Sequence, residues 1–378
     1  MTVLNNERST ARPLDLQLFS VSGGTLFTNG ASSSTDANLN VNLTGATGEG
    51  NNLSAEMKVF YDKNLLVEAT PNLIHAQFGQ KRRIPRGGGK KIEFRRFSSL
   101  GKSSSALTEG VTPSGQSVNV SAVEATLSQY GGFVTYSDML DLTAVDPVLT
   151  EITSLLGSQA GMTLDGVVRD VINAGTNVIY APTVSGSTVT EVTDRDDMNT
   201  TSLMSVKLIQ KAVTKLKGEN AKPFEGGDYV AIIHPYVAYD LMRDPEWIDW
   251  QKYTTPDAMF RGEIGKIGNV RFVESSEAKI WNGSDCPVKT AANGSTPATY
   301  YSVFSTLVMG ANAYGVVDLE GGGLETIVKP VGSGGSADPL DQRGTVGWKA
   351  AQAAKILNNA YLVRIETLSG YDSTAEAN

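Results

Sequence analysis

The chain of 378 residues has little of what chemistry usually needs. It carries one cysteine, Cys286, and two histidines, His75 and His234. A lone thiol closes no internal disulfide, and so few donors supply neither a metal set nor a nucleophile with its base. The histidines read as structural residues. No segment approaches the roughly 20 apolar residues of a membrane span. Residues 1–25 lack the apolar core of a signal peptide, so a reducing cytoplasm is the expected site of synthesis and no membrane is expected. Charged residues make up only 19% of the chain while glycine numbers 39, a balance that points to strands and turns. The formal net charge of −8 argues against a protein whose main task is gripping phosphate backbones.

What is present is organised. Residues 1–53 are rich in Ser, Gly, Asn and Thr and have almost no period. Alone they are expected to be disordered or extended, with Leu16–Phe19 as one apolar island. From Ser54 a helix is predicted with Met57, Phe60, Tyr61 and Leu65 on one face, ended by Pro71. A basic stretch then leads into two strands, Lys90–Phe97 and Val118–Leu127, the sides of a long hairpin. Its loop is too long for a compact monomer but suits a flap lying on another subunit.

The clearest helix runs from about Pro147 to Asn173. Asp146 is placed to cap it, Pro147 suits its first position and Gly175 its end. Leu149, Ile152, Leu156, Ala160, Leu164, Val167 and Val171 form one stripe. Gly157, Gly161 and Gly166 each cost about 1 kcal/mol inside a helix, which predicts a bend or a tight crossing by the sheet. Beyond Thr200 an α/β lobe is expected. It has a helix carrying Leu203, Val206, Ile209, Val213 and Leu216, a buried strand at Tyr229–Ile233, and strands near Asn269–Ser275 and Thr299–Gly310. A strand in AYLVRIETL is expected to return beside the long helix.

The phrases EMKVFYDKNLL, HAQFGQKRRIPRGGGKKIEFRRFSSL, LTEGVTPSG and YSDMLDLTAVDPVLTEI occur in order. They are followed by LDGVVRDVINAGTNVIYA, GEIGKIGNVRFVESSEA and GTVGWKAAQAAKILNNAYLVRIETL. Over roughly residues 52–370 the chain thereby resembles the major capsid proteins of tailed bacteriophages, specifically the coliphage N-four-type coat family. The resemblance implies an α+β Hong Kong 97 phage-type capsid fold. Its expected parts are a flexible segment 1–53, an N-arm 54–89 and an extended hairpin loop 90–136. A peripheral domain with spine helix follows at 137–199, an axial domain at 200–330, and a return to the peripheral domain at 331–378. It also implies self-assembly into hexamers and pentamers of an icosahedral head enclosing double-stranded DNA without sequence-specific binding. Scaffold, portal and decoration proteins are the implied partners, and a virion assembled in the host bacterial cytoplasm the implied location. The acidic balance fits a container for DNA.

Candidate sites were weighed against plainer readings. Lys81, Arg82, Arg83, Arg86, Lys90, Lys91, Arg95 and Arg96 are candidates for inter-subunit contact, with contact to DNA or a scaffold and plain solvation as the alternatives. Lys102 in the loop joins them by position, as it would for a lysine–asparagine crosslink. Gly101-Lys102-Ser103 is not a phosphate loop, because Arg96 stands where its first glycine belongs. Gly87–Gly89 and Gly321–Gly323 read as turns. Gly262, Gly265 and Gly268 have the wrong spacing for a dinucleotide fingerprint. Asp194, Asp196 and Asp197 read as a solvated acidic turn without the calcium-hand pattern. No catalytic, cofactor or metal residue is assigned. Alternatives to the coat reading are an encapsulin-like protein nanocompartment shell and a nucleic-acid-binding protein using the Lys81–Arg96 cluster.

Overall fold

The computed structural model describes residues 55–378 apart from 70–72, 98–99, 101, 105, 107–108, 113, 145–146, 252–264, 291–297 and 335–337. The expected flexible segment 1–53 and the Asp146 cap lie outside the described residues.

The described residues begin with helix α1 (Ala55–Ala69), then strands β1 (Gln80–Ile84), β2 (Lys91–Phe97), β3 (Val120–Thr126) and β4 (Ser128–Ser137). Two helices follow, the short α2 (Asp138–Thr143) and the long α3 (Val148–Asn173). Strands β5 (Val178–Tyr180), β6 (Thr183–Ser185) and β7 (Thr188–Thr190) lead to α4 (Val206–Gly218), β8 (Tyr229–Ile233), α5 (Pro235–Met242) and α6 (Pro245–Gln251). Next come the short strands β9 (Lys266–Ile267), β10 (Val270–Glu274), β11 (Ile280–Trp281), β12 (Val288–Thr290) and β13 (Thr299–Tyr300). The chain finishes with β14 (Val303–Met309), β15 (Tyr314–Leu319), β16 (Glu325–Lys329), β17 (Arg343–Ile356) and β18 (Leu362–Thr367).

Two sheets organise these elements. In the five-stranded sheet, β17 is the centre: β4 pairs along Arg343–Gln352, β16 along Thr345–Lys349 and β15 along Gln352–Ile356. Strand β1 adds parallel to β15 at one edge. The seven-stranded sheet runs β5-β18-β14-β8-β10-β9, with β11 also on β14. Its β8 is buried at every position, as a near-continuous apolar run requires of a strand covered on both faces.

Helix α3 links the two. At 26 residues it is about 39 Å long. Ile152, Leu156, Ala160 and Leu164 pack on Val346, Trp348 and Ala350 of β17. Its last turns bury Val168 and Ile172 instead of the expected Val167 and Val171, because there the helix leaves the first sheet and meets Val230, Ile232, Leu307 and Leu362 of the second. The buried face follows the partner.

Several expected boundaries shift. Strand β4 belongs to the five-stranded sheet, so the hairpin spans β2 and β3 and does not extend to residue 136. Gly131 and Gly132 permit this: a Cβ on them would stand 2.7 Å from Trp348 O and 2.8 Å from Gln159 Oε1. Strands β15 and β16 also join the five-stranded sheet, which ends the expected 200–330 lobe near residue 310. Conversely β5 and β18 complete the seven-stranded sheet. The carboxy-terminal strand thus pairs within the seven-stranded sheet and lies beside the end of the long helix: Leu362 packs with Val168 and Ile172, and Arg364 Nη1 donates to the carbonyls of Asn173 and Gly175.

Candidate assembly surface

The candidate surface starts from the hairpin. Strands β2 and β3 pair antiparallel in unbroken register from Lys91–Thr126 to Phe97–Val120. The ribbon is anchored at its middle pair, Phe94–Val123. Phe94 is buried against Ile84, Val317 and Ala353, and a Cβ on Gly315 would stand 2.6 Å from its Cζ. The pocket for one aromatic ring is thus made by a missing side chain.

Toward the far end the apolar side chains are exposed. Phe97 is 67% exposed, its cross-strand neighbour Val120 52%, Leu100 57% and Val111 63%. Exposed apolar side chains paired across strands, as Phe97 and Val120 are, fit an interaction surface better than a solvated one.

The basic residues divide between two places. Lys81, Arg82 and Arg83 lie on β1, ahead of the hairpin and paired parallel with β15. Alternation then splits them. Arg82 lies over the Phe94 ring at 5.2 Å on the hairpin side. Lys81 and Arg83 line a cleft of about 490 Å³ with Asp318, Glu320 and Gln352. Burial pushes the Asp318 carboxyl up, and the neighbouring Arg83 and Lys81 oppose that shift. Arg86 lays its guanidinium on Gly321, where a Cβ would stand 2.4 Å from Nη2. Gly87 and Gly89, at φ +81° and +85°, turn the chain between β1 and β2.

On β2, Lys91 pairs with Glu124 at 3.0 Å and Arg95 with Glu93 at 3.5 Å, all exposed. Such surface pairs hold little free energy and can exchange partners. Arg96 Nη1 donates to Asn358 Oδ1 at 3.1 Å. Lys90 and Lys102 are exposed. The structure thus brings Arg82 together with Phe94 of the hairpin, and leaves Lys91, Arg95 and Lys102 outward.

The spine glycines have separate roles. At Gly157 a Cβ would stand 2.7 Å from Leu65 O and 3.1 Å from Leu65 Cα, so this is where α1 crosses α3. The crossing element is a helix and not the expected sheet. Gly161 is buried, whereas at Gly166 the nearest atom to a Cβ is Arg169 Nη2 at 3.9 Å.

His234 caps α5 by accepting Tyr236 N–H at Nδ1, and burial lowers its pKa to about 4. His75 pairs with Asp165 at 2.6 Å in full burial. Among the described residues no group of His, Cys, Asp or Glu could hold a metal ion, and no helix is long and apolar enough to cross a membrane. Asp194, Asp196 and Asp197 are exposed, but Arg195 between them turns inward. It bonds the fully buried Glu366 at 2.6 and 3.0 Å, stacks 4.0 Å over Trp281 and pairs with Asp285. Sequence reading missed this network because its members lie on β11, β18 and a loop, with no common spacing.

The surface therefore combines a buried aromatic anchor, Phe94, with exposed apolar side chains at Phe97 and Val120. Comparison with solved structures gives the same architecture. The capsid of Ralstonia phage GP4 is similar at TM-score 0.58 and 14% identity, over 91% of this chain and 98% of that one. The Cyanophage Pam1 capsid is similar at 0.55 and 12%, over 91% and 100%. The capsid of Cyanophage P-SCSP1u is similar at 0.53 and 16%, over 79% and 89%. At such identities the likeness shows the fold: a mixed α+β fold shared with phage capsid structures. No curated protein sequence matches the chain. Residues 121–365, about two thirds of the sequence and including the long helix and most of both sheets, match the phage capsid protein family, and the chain belongs to that family.

Proposed function

We propose that this chain is the major coat subunit of a tailed phage of the coliphage N-four type, with the Hong Kong 97 phage-type arrangement of arm, hairpin, spine helix and axial lobe. Copies form hexamers and pentamers of an icosahedral head around double-stranded DNA. Assembly takes place in the bacterial cytoplasm with scaffold and portal proteins. The role is structural, as the capsid family implies, and its mechanism is geometric. Each hairpin lies across a neighbouring subunit and buries the apolar tip that a lone subunit leaves in water. Repeated interfaces of this kind close through symmetry and gain strength from number. The spine glycines Gly161 and Gly166 are where α3 bends if the shell expands.

The observation that carries this reading is the hairpin: Phe94 locked at its middle, Phe97 and Val120 exposed at its end. Charge complements that apolar contact. In a chain of net charge −8, Lys91, Arg95, Arg96 and Lys102 meet acidic groups of the next copy, which steers docking. Replacing Arg95→Glu together with Arg96→Glu tests it. Assembled particles should disappear from sedimentation profiles while the soluble subunit keeps the wild-type circular dichroism spectrum. Shells of wild-type yield and appearance would refute the hairpin contact.

A further inference from the structure

Strand β1 ends the five-stranded sheet, and its outer edge is open. In a parallel pair, alternate residues aim both backbone groups at the partner and those between aim both away. The Ile84 carbonyl accepts the Glu320 N–H, so Ile84, Arg82 and Gln80 face β15. The N–H and C=O groups of Lys81 and Arg83 therefore point out of the sheet. Among the described residues nothing bonds them, and Lys81, Arg82 and Arg83 are all exposed. Pro85 follows Ile84 and has no N–H, which closes the open stretch. Donors and acceptors are left in a row at the spacing of a strand, the template that an extended chain completes.

The side chains decide which chain fits. Lys81 and Arg83 stand on one face, along the cleft of about 490 Å³. Arg82 stands on the other, over the Phe94 ring, and Arg86 follows close to Gly321. Toward the sheet Arg83 has Asp318 opposite it, but Lys81 has only Val316, so the edge keeps positive charge. A second copy of β1 laid against this edge would set lysine and arginine opposite one another, and like charges directly opposed destabilise a pair. The edge is closed to itself. A strand with carboxylates at alternate positions instead sets one opposite Lys81 and one opposite Arg83. Phosphate backbones are also drawn to lysine and arginine. The outward carbonyls of Lys81 and Arg83 need donors, however, and a phosphate carries none, whereas a peptide brings an N–H for each.

We propose that the outer edge of β1 takes an extended acidic segment of another polypeptide as an added strand. Its backbone pairs with Lys81 and Arg83, and its alternate carboxylates pair with their side chains. The contact is separate from the hairpin tip and stands whether or not the chain builds a shell.

Fluorescence polarisation with the purified full-length subunit tests it. The probe is a labelled peptide of alternating glutamate and valine, about eight residues long. Saturable binding with a Kd below about 1 mM is expected. Lys81→Glu together with Arg83→Glu, both at exposed positions, should weaken it about tenfold or more with the circular dichroism spectrum unchanged. Two further peptides keep every charge, one N-methylated at its glutamates and the other at its valines. Successive residues of a strand aim their N–H groups to opposite sides, so one of the two should bind like the parent and the other should not. Absence of binding would overturn the proposal, as would equal behaviour of the two methylated peptides or full affinity in the charge-reversed variant. Tighter binding of an oligothymidine of the same length at the same residues would also overturn it, by assigning the edge to nucleic acid.

Discussion

Adding one methyl group at two positions of α3 should have opposite effects. Gly157 and Gly166 are both interior helical residues, and exchanging glycine for alanine in such a place is worth about 1 kcal/mol in favour of alanine. At Gly166 nothing offsets that gain, since the nearest atom to the new Cβ is the end of the Arg169 side chain at 3.9 Å. Gly166→Ala should therefore stabilise the subunit by about 1 kcal/mol. At Gly157 the new Cβ would meet Leu65 O at 2.7 Å and Leu65 Cα at 3.1 Å, and backbone cannot rotate aside as a side chain can. Overpacking of this kind costs about 1–3 kcal/mol. Gly157→Ala should therefore be neutral to destabilising by about 2 kcal/mol after the helical gain is subtracted. The difference between the two variants, about 1–3 kcal/mol, isolates the close crossing. Urea unfolding of the unassembled subunit followed by circular dichroism gives both values from midpoint and slope. Equal stabilisation by the two alanines would refute the argument that α1 crosses α3 through the gap at Gly157.

Phe94→Ala, which empties the pocket between Gly315, Ile84 and Val317, should cost about 3–5 kcal/mol; unchanged hydrogen exchange across β2 and β3 would contradict its role as anchor. Glu366→Gln removes the counter-charge of Arg195 and Arg364, both paired with its fully buried carboxylate. A loss of about 3 kcal/mol in urea unfolding is expected, and a loss under about 1 kcal/mol would show the pair to be dispensable. His234 has a pKa lowered from 6.5 to about 4 by burial, so between those values the unfolded chain binds more protons than the folded one. Its stabilisation is complete above about pH 6.5 and is lost as pH falls toward 4, by about 3 kcal/mol in all. His234→Asn, which keeps an N-cap oxygen for Tyr236 N–H, should flatten that part of the pH dependence; an unchanged slope would assign it to other groups.

The elements legible in the sequence are those whose signal is local. The stripe Ile152, Leu156, Ala160, Leu164 specifies a helix whatever surrounds it, and Tyr229–Ile233 and the β2–β3 pair are likewise contained in short windows. Placement among sheets was not legible, because it depends on partners far along the chain. Strand β1 finds β15 more than two hundred residues later, and β18 inserts between β5 and β14. Composition offers no hint of either pairing. The shift from Val167 and Val171 to Val168 and Ile172 has the same origin, since it records a change of partner along one helix. The basic cluster was visible as a run of charge, yet β-alternation on an edge strand divides it between two faces. His75 was read as structural and is fully buried, but nothing within ninety residues of it announces Asp165.

The central claim is that this chain builds a shell from copies of itself. Expressing it alone, then measuring mass by size exclusion with light scattering and viewing the product by electron microscopy, tests that claim most directly. Closed shells, tubes or capsomer rings are the predicted result. A species that remains monomeric, even with crowding agents and after co-expression with the gene beside it, would contradict the account.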